Sequence, residues 1–411
     1  MPLYAPVDAP PPALRVPAPA LAASLRCGAD VDDASRTPVL LVHGTNVTPE
    51  ANWSHTYEPG LRAHGVPTCT VRIPNRATGD IQVNAEYVVH AIRETHRRAG
   101  RRISIVGASQ GGMIPRWALR FWRDLRPMVD DLVGLVPSNH GSTSLDRCDP
   151  GCSPAIHQQS AGSAFLDALN SHQETFPGIS YTNVYTRTDE TVQPNQDDTG
   201  SSSLHGGGGR ITNVAIQDVC ALSTSEHILT GSADPIAFAL TVDALAHDGP
   251  AVPGRAAPVG CLTGPIPGAD PVGLLARVPD LLSGADSVEP TDQEPPLACY
   301  VTASCLPAVA PAPAVAPSGG VLRVRVSPRR PVAGRTVRLR LRVHRREDAR
   351  WVPVRGATLR IAGRRARSDR RGRIAVRVRF ARPGLRGLRV RAAGSPARTV
   401  RVRVVRPRPR G

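Results

Sequence analysis

Lysine is absent from this chain of 411 residues: all 51 positions counted as Lys or Arg are arginine. With abundant alanine and proline, this points to a GC-rich genome, so codon usage accounts for part of the arginine excess. No C-x-x-C pair and no histidine cluster at metal-ligand spacing occurs, which excludes the usual zinc sites. No apolar run reaches the length of about 20 residues needed to span a bilayer. The N-terminus shows no basic stretch leading into a long apolar one, so a secretion signal is not evident. Aromatic residues make up only 4% of the chain, and residues 321–411 hold just Trp351 and Phe380. That leaves little with which to stack bases, and nucleic acid is not expected as a partner.

What is present is divided unevenly. Residues 321–411 carry 31 Arg against three acidic residues, a balance of +28, whereas residues 1–320 carry 20 Arg against 31 acidic residues, a balance of −11. An acidic body thus bears a very basic tail. Eight cysteines, Cys27, Cys69, Cys148, Cys152, Cys220, Cys261, Cys299 and Cys305, are spread through the body. An even count without metal spacing favours disulfides and an oxidising compartment. An extracellular or cell-surface location is therefore expected despite the missing signal.

The most informative stretch is ISIVGASQGG at 103–112. Ile103–Val106 is a short run of β-formers, and Gly107-Ala108-Ser109-Gln110-Gly111 fits G-x-S-x-G. Ile114, Trp117, Ala118, Phe121 and Leu125 then recur on one face of a helix. Strand, tight turn with serine at its apex, then helix is the nucleophile elbow of α/β-hydrolases. A Cβ at either flanking glycine would collide in so sharp a turn. The helix N-terminus beneath the serine favours developing negative charge.

Residues 1–26 are rich in Pro and Ala and read as an extended surface arm. A catalytic body follows at 27–305, with strand signals at 38–42, 68–73, 103–107, 132–136, 180–186 and 211–217 and a helix pattern at 83–98 stopped by Gly100. Strands alternating with helices imply an α/β fold with a mostly parallel sheet covered on both faces. Residues 306–320, LPAVAPAPAVAPSGG, form a semi-extended Pro/Ala linker. From 321 to 411 Val or Leu alternates with Arg in period two, between turn signals. Half-buried antiparallel strands follow from that pattern, six or seven in an all-β immunoglobulin-like sandwich. The run GATLRIAGRRARSDRRGRIAVRV resembles the core of bacterial Ig-like or carboxypeptidase-regulatory-like modules.

A serine nucleophile needs a base and an orienting acid, which in this fold follow in the order Ser, Asp/Glu, His on loops at the carboxyl edge of the sheet. Asp189 lies in YTRTDETVQP directly after a strand, and His227 lies in CALSTSEHILTG one loop after the last strand. Position alone leaves Glu190 and His247 as rivals. An oxyanion hole requires the N–H of Gln110, after the nucleophile, and one from the loop His43-Gly44-Thr45-Asn46 after the first core strand. Thr45 can add its hydroxyl, and His43 reads as structural.

Six segments in order, TPVLLVHGTNVTPEANW, GDIQVNAEYVVHAI, GASQGGMIPRWALRFW, QQSAGSAFLDAL, NVYTRTDETVQP and VCALSTSEHILTGS, resemble the Candida antarctica lipase B family and its bacterial relatives over roughly residues 12–265. The resemblance implies Ser109 as nucleophile, Asp189 as acid and His227 as base, with Thr45 and Gln110 as the oxyanion pair. It also implies disulfides Cys27–Cys69 and Cys220–Cys261 and a shortened Cys299–Cys305 bridge, while Cys148–Cys152 has no counterpart in it. Two departures stand out: Ala108 is small where the family carries a bulky aromatic, and the Arg-rich sandwich is an addition. A secreted lipase or esterase acting on lipid acyl esters is implied, monomeric and without metal or organic cofactor. An acyltransferase or polyester hydrolase on the same site is the alternative. A rival of another class is a surface-binding protein whose basic sandwich docks on an anionic cell-wall polymer or a membrane.

Overall fold

The structure is a computed structural model. It describes residues 4–305 and 322–406 apart from 33, 146–150, 257–260, 262–264, 283–287, 329, 348–349, 362–363 and 393–394. The chain forms two compact units, Met1–Leu306 and Pro307–Gly411. The Pro/Ala linker lies outside the described residues.

The first unit is built on a seven-stranded sheet in the order β1-β3-β2-β4-β5-β6-β7. Its strands are β1 (Leu25–Cys27), β2 (Val39–Val42), β3 (Thr68–Val71), β4 (Ile103–Ala108), β5 (Val129–Leu135), β6 (Ser180–Tyr185) and β7 (Arg210–Ala215). Only β1 runs antiparallel. Strands β2, β4 and β6 are buried along their whole length. This is why their sequences read as continuous apolar runs rather than as alternation. One face is covered by the helix Ile81–Ala99, with Trp117 of the post-elbow helix stacked on Phe165 at 4.1 Å between ring centres. The other is covered by Trp53, Tyr57 and Phe238. Asp80 caps the first helix through the N–H of Gln82, and Gly100 ends it at φ 66°.

Three details differ from the sequence expectation. The N-terminal arm holds a short helix, Ala18–Ala23, before joining the sheet as β1. It is fastened where Glu86 accepts the N–H of Val16 at 2.8 Å and Trp122 Nε1 donates to the Pro12 carbonyl at 2.9 Å. The last strand stops at Ala215, where Asp218 accepts the Ala215 N–H and turns the chain into a helix at Ile216–Val219. Residues His227–Ala246 are apolar and long enough to cross a membrane by composition, contrary to the sequence reading. They form two helices, His227–Ser232 and Pro235–Ala246, with 61% of the apolar window buried inside the unit. The apolar run is core, and Asp234 breaks it by capping the second helix.

Two disulfides are described, Cys27–Cys69 and Cys220–Cys261. The first joins directly opposed residues of β1 and β3. Cys152 and Cys299 are also disulfide-bonded; Cys148 and the side chain of Cys305 lie outside the described residues.

Among the described residues the second unit has eight strands in two four-stranded sheets. They are β8 (Leu322–Ser327), β9 (Thr336–Glu347), β10 (Arg350–Pro353), β11 (Thr358–Ile361), β12 (Arg364–Arg367), β13 (Arg373–Arg379), β14 (Gly384–Ala392) and β15 (Ser395–Val404). All pairings between these strands are antiparallel. Leu339, Leu341, Val343, Leu359, Val390 and Val402 fill the core, and the intervening arginines of β13 face solvent. One sheet joins β8, β9, β10 and β13; the other joins β11, β12, β14 and β15.

Candidate active site

The turn between β4 and the helix Gln110–Phe121 sets Ser109 at φ 53°, ψ −124°, a conformation a non-glycine residue holds only when its surroundings enforce it. The enforcement is visible. Ser109 N–H donates to the Leu135 carbonyl at the end of β5. A Cβ on Gly107 would lie 2.0 Å from the Gly111 carbonyl oxygen, and one on Gly111 would lie 2.2 Å from that of Val42. Strand, turn and helix are therefore locked against each other, and the serine is lifted to the carboxyl edge of the sheet.

Asp189 follows β6. Its Oδ1 accepts the N–H groups of Thr191 at 2.9 Å and Val192 at 2.7 Å, and Asn195 donates to Oδ2 at 3.4 Å. Both oxygens stand 3.0 Å from His227 Nδ1. The imidazole is thereby fixed with its proton on Nδ1 and a free lone pair on Nε2, the tautomer a general base requires. The hydroxyls of Thr186 and Thr188 both donate to the Ser225 carbonyl, tying the acid loop to the histidine loop. Glu190 points elsewhere: its carboxylate accepts the backbone N–H of His227 at 3.3 Å and the Thr191 hydroxyl, and makes no contact with the ring. His247, at the end of the helix Pro235–Ala246, pairs with Asp243 one turn earlier and does not line the cavity of Ser109. Ser109 and His227 share that cavity, and among the described residues no hydrogen bond joins their reactive atoms. In unliganded hydrolases this bond tightens as substrate enters.

The N–H groups of Thr45 and Gln110 are spent in no hydrogen bond among the described residues. Thr45 Oγ1 accepts from Gln110 Nε2 at 2.9 Å and from Gln159 Nε2 at 3.1 Å. With both lone pairs taken, its own proton is left to donate toward the cavity. His43 is buried and pushed down to about 4 by desolvation. It bonds the Gly44 carbonyl through Nδ1 and accepts the Ile73 N–H on Nε2, so it stays neutral and holds the loop.

The cavity measures about 350 Å³ and is walled by Val47, Leu145, Ile156, Val192 and Ile228 around the polar centre. Three residues that sequence reasoning missed complete it. Gln159 orients Thr45 and itself accepts the Ser138 hydroxyl. Asn52 accepts the Gly44 N–H and donates to the Gly231 carbonyl, joining the loop after β2 to the helix His227–Ser232. Ile156 comes from the helix Pro154–Gln159, whose apolar and amide residues carry no spacing signal. Ala108, the small residue beside Ser109, also lines the cavity. Among the described residues no three His, Cys, Asp or Glu side chains are grouped to hold a metal ion.

Residues 36–215 match the sequence model of the family "Lipase (class 2)". Lipase B of Pseudozyma antarctica is 32% identical over 213 residues, which are 51% of this chain and 61% of that protein. The chain thus spans about three fifths of the length of this curated relative. The crystal structure of Aspergillus fumigatus lipase B superposes with a TM-score of 0.64 at 28% identity, over 73% of this chain and 74% of that one. The sheet order, the elbow and the ordered loops agree with these likenesses: the first unit has the α/β-hydrolase fold and is similar in sequence and structure to these lipases.

Proposed function

We propose that this protein hydrolyses carboxylic esters through an acyl-enzyme on Ser109. The observation that carries the reading is the single cavity into which the strained Ser109, the Asp189-fixed His227 and the unspent N–H groups of Thr45 and Gln110 all converge. As Ser109 Oγ attacks the ester carbonyl, Nε2 of His227 takes its proton and Asp189 stabilises the imidazolium. The oxyanion receives the two N–H groups and the Thr45 hydroxyl. His227 returns the proton to the departing alcohol. Water, deprotonated by the same histidine, then releases the acid.

The apolar wall argues for an apolar acyl or alcohol group, and hence for lipid esters as the substrate class. The two disulfides support action outside the reducing cytosol. The test is a panel of nitrophenyl esters and emulsified triglycerides with the intact chain and with Ser109→Ala, beside labelling by a fluorophosphonate. Hydrolysis lost in the variant and label on Ser109 alone are expected. Label on another serine, or hydrolysis that survives Ser109→Ala, would overturn the assignment.

A further inference from the structure

The basic face of the second unit is left unused by ester hydrolysis. Codon usage explains why arginine replaces lysine, but it acts on both units alike, and only one of them lacks acidic residues to match. Strand register shows how the excess is laid out. Arg325 of β8 lies opposite Arg342 of β9, which lies opposite Arg373 of β13. Directly opposed residues of antiparallel strands project to the same side. All three side chains are exposed, so they form a row straight across three strands, at a strand spacing of about 4.8 Å. Like charges directly opposite are destabilising. None of the three makes an ion pair among the described residues, and Asp369, beside the row's end, has its carboxyl capped by the backbone N–H groups of Arg371 and Arg373.

On the same face, opposite Arg346 and four residues along β9 from Arg342, stands one of only two aromatic residues in the unit. Trp351 of the edge strand β10 is exposed, although a tryptophan of this size is normally covered. The guanidinium of Arg323 reaches across β9 to 5.5 Å from its ring centre. The two residues form one side of a cleft that β15 completes with Arg398 and Arg401.

We propose that this sheet face binds an acidic polysaccharide, the arginine row pairing with successive carboxylates and Trp351 packing on the apolar face of a sugar ring. A linear chain of rings bearing charge at intervals fits a row of cations with a flat aromatic on the same face, linked to it by Arg323, two residues along β8 from Arg325. A bilayer would call for a protruding cluster of apolar residues, and here one indole stands among cations. The role is independent of the ester-hydrolase reading and would hold if that reading failed.

The experiment measures retention of the intact protein on immobilised polygalacturonate. Neutral dextran and phosphatidylglycerol vesicles are run beside it across a salt series. Four proteins are compared: the unaltered chain, Trp351→Ala, the row variant Arg325→Gln/Arg342→Gln/Arg373→Gln, and a control of equal charge loss, Arg335→Gln/Arg355→Gln/Arg382→Gln. The row variant should bind about tenfold more weakly and Trp351→Ala about fivefold, with the control within about twofold. Removing opposed like charges should not unfold the sheet, and unchanged melting of the row variant verifies this. Equal losses in row and control variants, full binding by Trp351→Ala, or binding to vesicles but not to polygalacturonate would each overturn the proposal.

Discussion

Asp189→Asn tests the heart of the site because it changes one atom and one charge while keeping shape. The carboxylate meets two backbone donors on Oδ1, the Asn195 amide on Oδ2, and the imidazole on both. An asparagine must keep its carbonyl where Thr191 and Val192 donate, since turning the NH2 there would set donor against donor. Its NH2 then falls on the Oδ2 side, facing Asn195 and His227. It donates to Nδ1 and drives the ring proton to Nε2, the atom that must accept from Ser109. The imidazolium also loses its counter-charge. Turnover should therefore fall by about 10³–10⁴, equivalent to about 4–5.5 kcal/mol of transition-state stabilisation. Stability should fall by only about 1–2 kcal/mol, because the backbone bonds to the carbonyl survive. Steady-state hydrolysis of nitrophenyl butyrate near pH 8, with thermal melting of the same samples, separates the two effects. Glu190→Gln and His247→Ala should stay within about threefold, since one side chain touches only backbone and hydroxyl and the other lines no part of the cavity. If Asp189→Asn kept more than a tenth of the activity, or if His247→Ala abolished it, the reasoning from the hydrogen-bond pattern would be wrong.

Gly111→Ala should yield inactive or insoluble protein, because its Cβ would sit 2.2 Å from a backbone carbonyl that cannot move without breaking β2; Gly254→Ala, with nothing within 4 Å, should be neutral in the same expression and esterase assays. Replacing either described disulfide by serines should cost about 3–4 kcal/mol in the chain-entropy model, as both close loops of similar length (sequence separations 42 and 41). Denaturant titration reads this loss, and free thiols at these four positions in peptide mapping would refute the pairing. Asp131 is pushed up to about 7, chiefly by burial, although the Ser104 hydroxyl donates to it. Its folded value lies above the unfolded one, so its stabilising contribution is full below about pH 4 and is lost as pH rises through about 7. Asp131→Asn should therefore gain on the unaltered protein by a few kcal/mol between pH 5 and pH 8, and a gap that shrinks with pH would contradict this.

The elements that position the site were legible because each is a local pattern. The elbow needs only a β-run, two glycines around a serine and an amphipathic helix, all within about twenty consecutive residues. The buried parallel strands announce themselves as VLLV and ISIVGA, and the sandwich strands as Arg alternating with Val or Leu. The stretch at 227–246 is apolar enough by composition to cross a membrane, and only the packing of Phe238 and Leu240 against the sheet shows that it is core.

The sequence alone determined the strand-turn-helix around Ser109, the order of the loops that follow, and the separation of an acidic body from an arginine-rich tail. Tertiary structure decided between neighbours that sequence position cannot rank. Asp189 and Glu190 are adjacent, yet only Asp189 turns inward, because the N–H groups of Thr191 and Val192 draw its carboxylate under the imidazole. Asn52 and Gln159 were invisible for the same reason. They act across 179 and 114 residues of chain, through hydrogen bonds that exist only once separate loops meet at one edge of the sheet. Likewise, the count of arginines was in the sequence, but their alignment into a row across β8, β9 and β13 was set by strand register, which side-chain chemistry along a single strand does not specify.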